Sequence, residues 1–428
     1  MLHFIVGARP AAFPALLLCA LGLSGAVHGA PASLSPSDGE SGETKPWSLS
    51  GFGTLGFTHA SENQADYTTS VLKRSGAGAT RPWSTDVDSR LGAQLDVNVD
   101  RRWSAVLQVV SEQSLDNTYR PRVEWANIKY QPTPELALRL GRIALPMFLT
   151  AEYRKVGYAY PWVRPPVEGY GSLPISTSDG VDATLHWSLG RVRNVSQVLF
   201  GHDDVDVPRP LYAYGRKLAG LSNTSDLGDL SIRVSAIRAE ITTNAGGALF
   251  DALTAFGPAG QALTRRYAID HKPASMINVG LNYDPGLWFV MAEAGRTGTH
   301  SLLGTTYNAY VSAGWRRGAL TPYATWSQVR AKGSTMENGL PADGLPPALA
   351  AQVAAVNAGL NTLLATATQQ RSAAAGVRWD LQTNLALKLQ YDRVKPTGGS
   401  RGTLINPTPD FRSNRAFGVA SISLDFVY

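Results

Sequence analysis

The chain has 428 residues, of which 17% are charged, and its formal net charge is +6 at pH 7. This charged fraction lies below that of ordinary soluble domains, and the basic residues are scattered, so a nucleic-acid-binding protein is not expected. After the first thirty positions the sequence has no run of about eighteen apolar residues, which argues against a membrane-spanning helix. The length suits either two or three ordinary domains or one large closed barrel.

Residues 1–32 have the composition of an export signal. Arg9 precedes the apolar segment AAFPALLLCALGLSGAV, and small residues then offer cleavage after Ala26, Ala30 or Ala32. The only cysteine, Cys19, lies inside this segment, and the sequence LLLC lacks the small residue that precedes a lipoprotein cysteine. Loss of the signal removes one arginine, which lowers the net charge from +6 to +5, and leaves no thiol for disulfide or thiolate chemistry.

Residues 33–46 form a polar linker, and an alternating pattern then repeats from Trp47 to the end of the chain. Segments of alternating apolar and polar residues are joined in turn by a short turn and a long polar connection, with Gly, Pro and Asn at the turns. The short turns are VDRRW, YQPTPE, LGRVRN, TSDLGDL, YDPGL, WRRGAL and DLQTN. The predicted strands are 47–59, 86–99, 103–113, 121–131, 135–142, 179–188, 193–201, 211–223, 229–242, 275–284, 287–297, 305–315, 319–331, 369–380, 384–394 and 415–428.

The two faces of these segments differ in polarity. In ELALRLGR, Leu136, Leu138 and Leu140 share one face, and Glu135 and Arg139 share the other. An even strand number, with short turns at one rim and long loops at the other, is typical of an outer-membrane barrel. We therefore predict an all-β fold for 47–428: a 16-stranded antiparallel transmembrane β-barrel with long external loops. Its charged face lines water, its apolar face meets lipid, and its last strand pairs with its first so that no edge remains.

Aromatic residues recur near the short turns and at the end of the chain. A band of aromatic side chains at one rim is what a membrane interface selects. The predicted membrane-interface aromatics are Trp187, Trp288, Trp315, Trp379, Phe426 and Tyr428.

The segments WSLSGFGTLGF, DSRLGAQLDVNV and ELALRLGRIALPMF, together with a closing strand that ends on an aromatic residue, resemble the Gram-negative trimeric porin family. The likeness is one of strand pattern and order over residues 47–428. It implies a homotrimer in the outer membrane, surrounded by outer-membrane lipid and lipopolysaccharide. It also implies passive diffusion of small hydrophilic solutes and a third external loop folded into the lumen. No cofactor and no enzymatic activity are expected from it.

A suitable third loop runs from residue 143 to 180 and is long, aromatic and proline-rich. A pore selects by its width and by the charges that line it. The predicted constriction residues of this loop are Glu152, Arg154, Lys155, Arg164 and Glu168. The predicted pore-lining wall residues are Arg90, Lys129, Arg139, Arg233, Arg378, Lys388, Asp88 and Asp182, with Asp96 and Glu293 as further acidic candidates. The family's third loop is mainly acidic, whereas this one is balanced, so weak or anion-leaning selectivity is expected.

Several alternatives stay open at this stage. Any single charged residue could be solvated or paired within the wall. The loop sequence AEYRKVGYAYPWVRPP also fits a substrate-specific channel for organic or aromatic anions, and a barrel-embedded enzyme or adhesin is a third hypothesis. HDDVDVP at 202–208 is either a calcium site or a solvated acidic loop, and its spacing fits no EF-hand; no metal site is expected. Helical periodicity in GALFDALTAF and PPALAAQVAAVNAGLNTLLATA predicts helices in two external loops.

Overall fold

The computed structural model describes residues 46–332 and 336–428. The predicted export signal, 1–32, and all but the last residue of the predicted linker, 33–46, lie outside the described residues. Both assignments therefore stay predictions.

Sixteen antiparallel strands form one closed barrel, which confirms the predicted fold class. Neighbouring strands along the chain pair with each other, and the last strand pairs with the first, where Phe52 lies opposite Val427 and Ala60 opposite Val419. In chain order the barrel strands are β1 (Trp47–Ala60), β2 (Arg90–Asn98), β3 (Trp103–Glu112), β4 (Arg122–Tyr130), β5 (Leu136–Ala144), β6 (Thr177–Leu189), β7 (Val192–Val205), β8 (Ala213–Leu227), β9 (Leu230–Thr243), β10 (Lys272–Tyr283), β11 (Trp288–Thr299), β12 (Thr305–Trp315), β13 (Leu320–Lys332), β14 (Gln370–Gln382), β15 (Leu385–Pro396) and β16 (Phe417–Val427).

The alternation in the sequence appears in the structure as an exposed apolar outer face and a polar inner face. On β15, Leu389 and Tyr391 are exposed, whereas Lys388, Gln390 and Asp392 between them are buried. Since successive side chains of a strand point to opposite sides, the polar set faces the lumen. The closing strand follows the same rule, with a buried Ser-Ser-Asp series facing inward.

Three strand boundaries differ from the prediction by four residues. β7 continues to Val205 and does not end at residue 201. β8 continues to Leu227, so the hairpin turn falls at Gly228, which has a positive φ of 59°. β2 begins at Arg90 and not at residue 86, which moves Asp88 from the predicted strand into the turn that precedes it. The reason is a set of contacts between loops: the Asp86 carboxylate accepts hydrogen bonds from Ser75 of the first external loop and from Gln113 and Tyr119 of the second.

The described helices lie in the loops. In the third loop they are two 3₁₀ turns, Ala151–Tyr153 and Gly157–Ala159, and the short α1 (Val167–Tyr170). The external helices are α2 (Gly247–Thr254), α3 (Pro258–Tyr267) and α4 (Pro347–Leu364). The periodicity predicted α2 and α4 correctly, and it missed α3, whose sequence is mostly small and polar. A common apolar cluster buries Phe250, Leu253, Val353, Leu360 and Leu364. Within 46–332 and 336–428, no helix has the length and apolar character to cross a membrane.

Three glycines lie side by side on β5, β6 and β7, where Gly141 pairs with Gly180 and Gly180 pairs with Gly201. The strands approach so closely here that a Cβ at Gly141 would lie 2.2 Å from the carbonyl oxygen of Ala126, and its φ is +127°. A side chain at this position is therefore strained both by space and by backbone conformation.

Gly141→Ala is expected to destabilise the barrel, since an L-residue forced into such a backbone conformation costs on the order of 1–3 kcal/mol before any clash is counted. Thermal unfolding in detergent, followed by far-UV circular dichroism, measures the loss. Gly215→Ala on β8 is the matched control, because its nearest neighbour would be the Ala239 Cβ at 4.0 Å. Equal unfolding temperatures for the two variants would contradict the argument.

Candidate functional site: the third loop and the cavity beside it

The segment Leu145–Ser176 between β5 and β6 is called the third loop below. It contacts inward-facing side chains of β9 to β16 and of β1, so it crosses the lumen to the far wall. Aromatic side chains of the loop pack against aromatic residues of the wall. Trp162 meets Tyr310 of β12 edge-on at 5.9 Å between ring centroids. Phe148 stacks within the loop on Tyr170 at 4.5 Å, and Tyr170 itself lies 6.2 Å from Tyr310.

Arg164 is the most heavily bonded residue of the third loop. Its guanidinium forms a bidentate pair with Asp88, at 2.8 and 2.6 Å, and lies 3.4 Å from Asp392. It also donates to the hydroxyls of Thr58 and Ser421. The Arg164 and Asp88 side chains are 1% and 0% exposed. Burial is the largest single influence on the pKa of Arg164 and would lower it, but the charge and hydrogen bonds of Asp88 together with the charge of Asp392 and other neighbours raise it well above its ordinary value.

Lys388 on β15 is the second anchor, and its side chain is fully buried. Its ammonium group lies 2.9 Å from Asp425 and donates to the carbonyl oxygens of Gly157, Tyr160 and Trp162 at 2.7–2.8 Å. The ammonium group thus donates its hydrogen bonds to the backbone of one short segment, 157–162. The lysine therefore fixes the path of the loop rather than facing solvent.

Two glutamates of the third loop bind the wall in different ways. Glu152 pairs with Arg233 at 2.9 and 3.0 Å. Glu168 is buried and accepts from the Ser327 hydroxyl at 2.6 Å and the Gln370 amide at 2.7 Å.

Wall residue Glu293 also holds the third loop. Its carboxylate accepts hydrogen bonds from Tyr170, Tyr310 and Asn278 and from the backbone of Leu149, at 2.6–3.1 Å. The loop is thus tied to the lumen wall by charged groups along its whole length.

The remaining predicted residues have other partners. Arg154 donates to the loop's own carbonyls at Tyr170, Leu173 and Ile175, and Lys155 pairs with Glu112.

On the wall, Arg378 donates to the carbonyls of Tyr158 and Tyr160, and Arg139 pairs with Asp182. Arg233, Arg378 and Lys388 therefore contact the third loop directly. No aqueous pore separates these three side chains from the loop. The structure gives Lys129 no ion pair with a described carboxylate. The roles of these residues in selection stay predictions.

A polar cavity of about 220 Å³ lies beside the third loop, against β2 to β7. Its wall consists of the first external loop, the external ends of these strands and one flank of the third loop. The charged lining residues are Lys73, Arg90, Arg122, Arg142, Arg154, Lys155, Arg164, Glu112, Glu124, Asp203, Asp204 and Asp206.

Part of this charge is neutralised within the cavity wall. Arg142 pairs with Asp179 at 2.6 Å, and Arg122 pairs with Asp206 at 2.9 Å. The pair of Lys155 with Glu112 is described above. These pairs leave the balance between the remaining cations and the remaining carboxylates to decide the sign of the cavity.

Lys73, Arg90 and Arg154 form no ion pair with any carboxylate of the described residues. Lys73 donates to the carbonyl of Asp86 at 2.8 Å, and Arg90 donates to the carbonyl of Arg154 at 3.5 Å. Burial, assisted by the nearby Arg90, lowers the pKa of Lys73 to about 8, against the opposing charge of Glu112. Two lining carboxylates, Glu124 and Asp203, also form no ion pair with a described residue, so the unpaired groups of this cavity are three cations against two carboxylates.

Sequence reasoning missed several residues of the site. Asp392 and Asp425 both lie on the polar face of a predicted strand, so the alternation alone would have placed them in the lumen. Lys73 carries no such signal, because the first external loop has no period. Alternation places Glu112 on the lumen face of β3 with Gln108, but its pairing with Lys155 has no local signal.

The predicted interface aromatics are placed near the short turns. Trp187, Trp288, Trp315, Trp379 and Tyr428 are between 43% and 63% exposed, and Phe426 is half-buried. Trp103 and Tyr130 form a further ring pair at this end, with centroids 4.5 Å apart. A role at the membrane interface stays a prediction for all of them.

The acidic segment at 202–208 offers no arrangement for calcium. Asp203 and Asp204 lie on the end of β7, where Asp204 pairs with Arg216, and Asp206 pairs with Arg122. Across the part of the chain that the structure describes, no three His, Cys, Asp or Glu residues are grouped so as to hold a metal ion.

No family model and no curated protein sequence matches this chain. Solved structures of similar fold include the outer membrane channel DcaP of Acinetobacter baumannii, at 11% identity and a TM-score of 0.53, covering 89% of this chain and 97% of that one. OmpT of Vibrio cholerae has 11% identity and a TM-score of 0.52, covering 90% and 99%. An anion-selective porin from Comamonas acidovorans has 12% identity and a TM-score of 0.51, covering 89% and 100%.

These neighbours place the fold among the 16-stranded barrels of outer-membrane porins and channels, as the resemblance in the sequence implies. At such low identity the likeness concerns the fold alone. What the chain does has to be argued from its own lumen.

Proposed function

We propose that this protein is an outer-membrane porin, a passive diffusion channel for small hydrophilic solutes with a preference for anions. The observation that carries the proposal is the polar cavity beside the third loop, where Lys73, Arg90 and Arg154 have no carboxylate partner among the described residues. A fixed positive charge beside a narrow aqueous path attracts anions and repels cations. The barrel fold and the predicted export signal support the location.

Single-channel recording of the purified protein in a planar bilayer under a KCl gradient tests the proposal. Discrete conductance steps with a reversal potential of the sign expected for chloride preference are the predicted result. A reversal potential of the opposite sign would refute the anion preference, but the proposal that the protein is a channel would stand. Complete absence of conductance would refute the channel and favour the barrel-embedded enzyme or adhesin.

A substrate-specific channel for organic anions is the second candidate. The cavity supports it because apolar side chains, among them Val110, Val123 and Ile175, stand beside its cations. Benzoate should then block the chloride current in a saturable manner, whereas benzyl alcohol, which lacks the charge, should not. Block by neither compound would remove this candidate and leave general diffusion.

A homotrimer is proposed from the family resemblance. Mass measurement of the detergent-solubilised protein tests the oligomeric state, and a trimeric mass is expected. Single-channel recording should then show three equal conductance steps per insertion. A monomeric mass with single conductance steps would contradict it.

Chloride preference should fall as the pH rises from neutral through about 8. The physical reason is that burial lowers the pKa of Lys73 to about 8, so the cavity loses one of its three unpaired positive charges over this range. Reversal potentials measured along a pH series check this. Lys73→Arg should abolish this fall in chloride preference, because arginine stays protonated over the same pH range. A fall that persists in the variant would show that another group causes it.

A further inference from the structure

The outer face of the barrel carries a compact basic cluster at its external end, defined as Arg330, Arg371, Arg393 and Lys395. All four side chains are exposed. They occupy the same alternate positions as the exposed apolar residues of their strands, whereas the intervening Gln370, Asp392 and Val394 are buried. The cluster therefore faces away from the lumen.

Strand register brings these cations together on β13, β14 and β15. Arg371 lies directly opposite Lys395, and Arg393 lies opposite Ala373, two positions further along β14. Gln328 lies opposite Arg371, so Arg330 is a diagonal neighbour of Arg371. Side chains directly opposite in a sheet are about 5 Å apart at Cβ, and like charges in this arrangement repel.

No described carboxylate offsets this repulsion. None of the four cations forms an ion pair or hydrogen bond with another described residue. At the external end of β8 the opposite holds: the exposed Arg216 and Lys217 pair with Asp204 and Glu240. Exposed cations without an ion pair to a described residue also occur singly, at Arg238 on β9 and Arg296 on β11, whereas β13 to β15 bring four of them together.

The depth of the cluster matches a membrane boundary. On β14 the outward-facing Arg371 and Trp379 lie eight positions apart, and Trp379 is next to a short turn. At about 3.3 Å per residue and a strand tilt of roughly 40°, this spacing spans about 20 Å, close to the height of the apolar band of such barrels. Between them the outward positions are Ala373, Ala375 and Val377. The tryptophan thus marks one edge of the apolar band and the basic cluster marks the other.

We propose that the basic cluster binds the phosphate groups of a phosphorylated lipid in the outer leaflet of the membrane. Guanidinium groups bind phosphate oxygens in bidentate fashion, and one phosphate between Arg371 and Lys395 would replace their repulsion by two charge-assisted bonds. The apolar strip below the cluster receives the acyl chains of the same molecule. The inference rests on the proposed outer-membrane location, but not on ion conduction.

The test uses the full-length protein in detergent with diphosphoryl lipid A as the probe, and native mass spectrometry measures the lipid retained. Substituting R371Q, R393Q and K395Q together should weaken retention roughly tenfold or more, since each cation near an anionic lipid surface adds to binding. The matched control removes three exposed cations from the short turns, R101Q, R102Q and R191Q, and should retain the lipid like the unmodified protein.

Equal retention by the cluster variant and the control would overturn the proposal. Equal retention of a phosphate-free lipid A with the same acyl chains would overturn it too, because the acyl chains would then suffice. Full competition by inorganic phosphate would assign the cluster to free anions instead of lipid. The doubly conservative variant R371K/R393K should keep most of the retention, and unchanged electrophoretic mobility of the unheated barrel verifies folding. A protein that conducts no ions can still pass this test, so its outcome is separate from that of the channel proposal.

Discussion

Arg164→Gln is expected to lower the free energy of unfolding by about 3–5 kcal/mol, the usual cost of removing one partner from a buried ion pair. The loss follows because Asp88, whose side chain is 0% exposed, keeps its charge without the guanidinium that binds its two carboxylate oxygens. Thr58 and Ser421 lose their donor as well. The third loop is then held less firmly on the side of β1 and β16. Thermal unfolding in detergent should show the destabilisation, and single-channel conductance should rise as the loop leaves the wall.

The double variant Arg164→Gln/Asp88→Asn separates charge from shape. It removes both members of the pair, so no unpaired carboxylate remains at this position, and a large part of the stability should return. A double variant no more stable than Arg164→Gln would show that the buried charge is not the cause. Arg266→Gln, which breaks an exposed pair with Glu337 on an external helix, should change the stability little.

The second large effect is expected for the double variant Lys73→Gln/Arg90→Gln, which removes two of the three unpaired cations of the cavity. A unit charge about 5 Å from a permeating ion contributes roughly 0.8 kcal/mol in water, or about a fourfold preference for anions. Two such charges multiply to about sixteenfold, so the loss of both should reduce the chloride-to-potassium permeability ratio by roughly tenfold or more. Reversal potentials under a KCl gradient measure the ratio.

Arg102→Gln is the control for this experiment, because Arg102 is exposed at a short turn away from the cavity. It should leave the reversal potential near that of the unmodified protein. If the control and the double variant shift the potential equally, the net charge of the barrel and not the cavity decides selectivity. Both substituted side chains stay polar, so an unchanged unfolding temperature would confirm that the barrel itself is intact.

Much of the barrel could be predicted because its signals are local. Within each strand, the alternation of apolar and polar residues identifies the outer and the inner face. The short turns are marked by their own Gly, Pro or Asn residues. The boundary at Asp88 could not be predicted in this way, since hydrogen bonds from Gln113 and Tyr119 on another loop hold the preceding Asp86 in a turn.

The sequence by itself therefore determined the sixteen strands, their polar and apolar faces and the aromatic residues at one rim, because a period of two needs only neighbouring residues. The tertiary structure alone decided which charges meet. Arg164 reaches Asp392 from more than two hundred residues away, and Arg371 meets Lys395 only through the register of β14 on β15. The path of the third loop and the strand register select these partners. Neither produces a pattern among neighbouring residues in the sequence. Lys388 shows the difference: alternation places it in the lumen, but only the folded loop brings three carbonyls to its ammonium group.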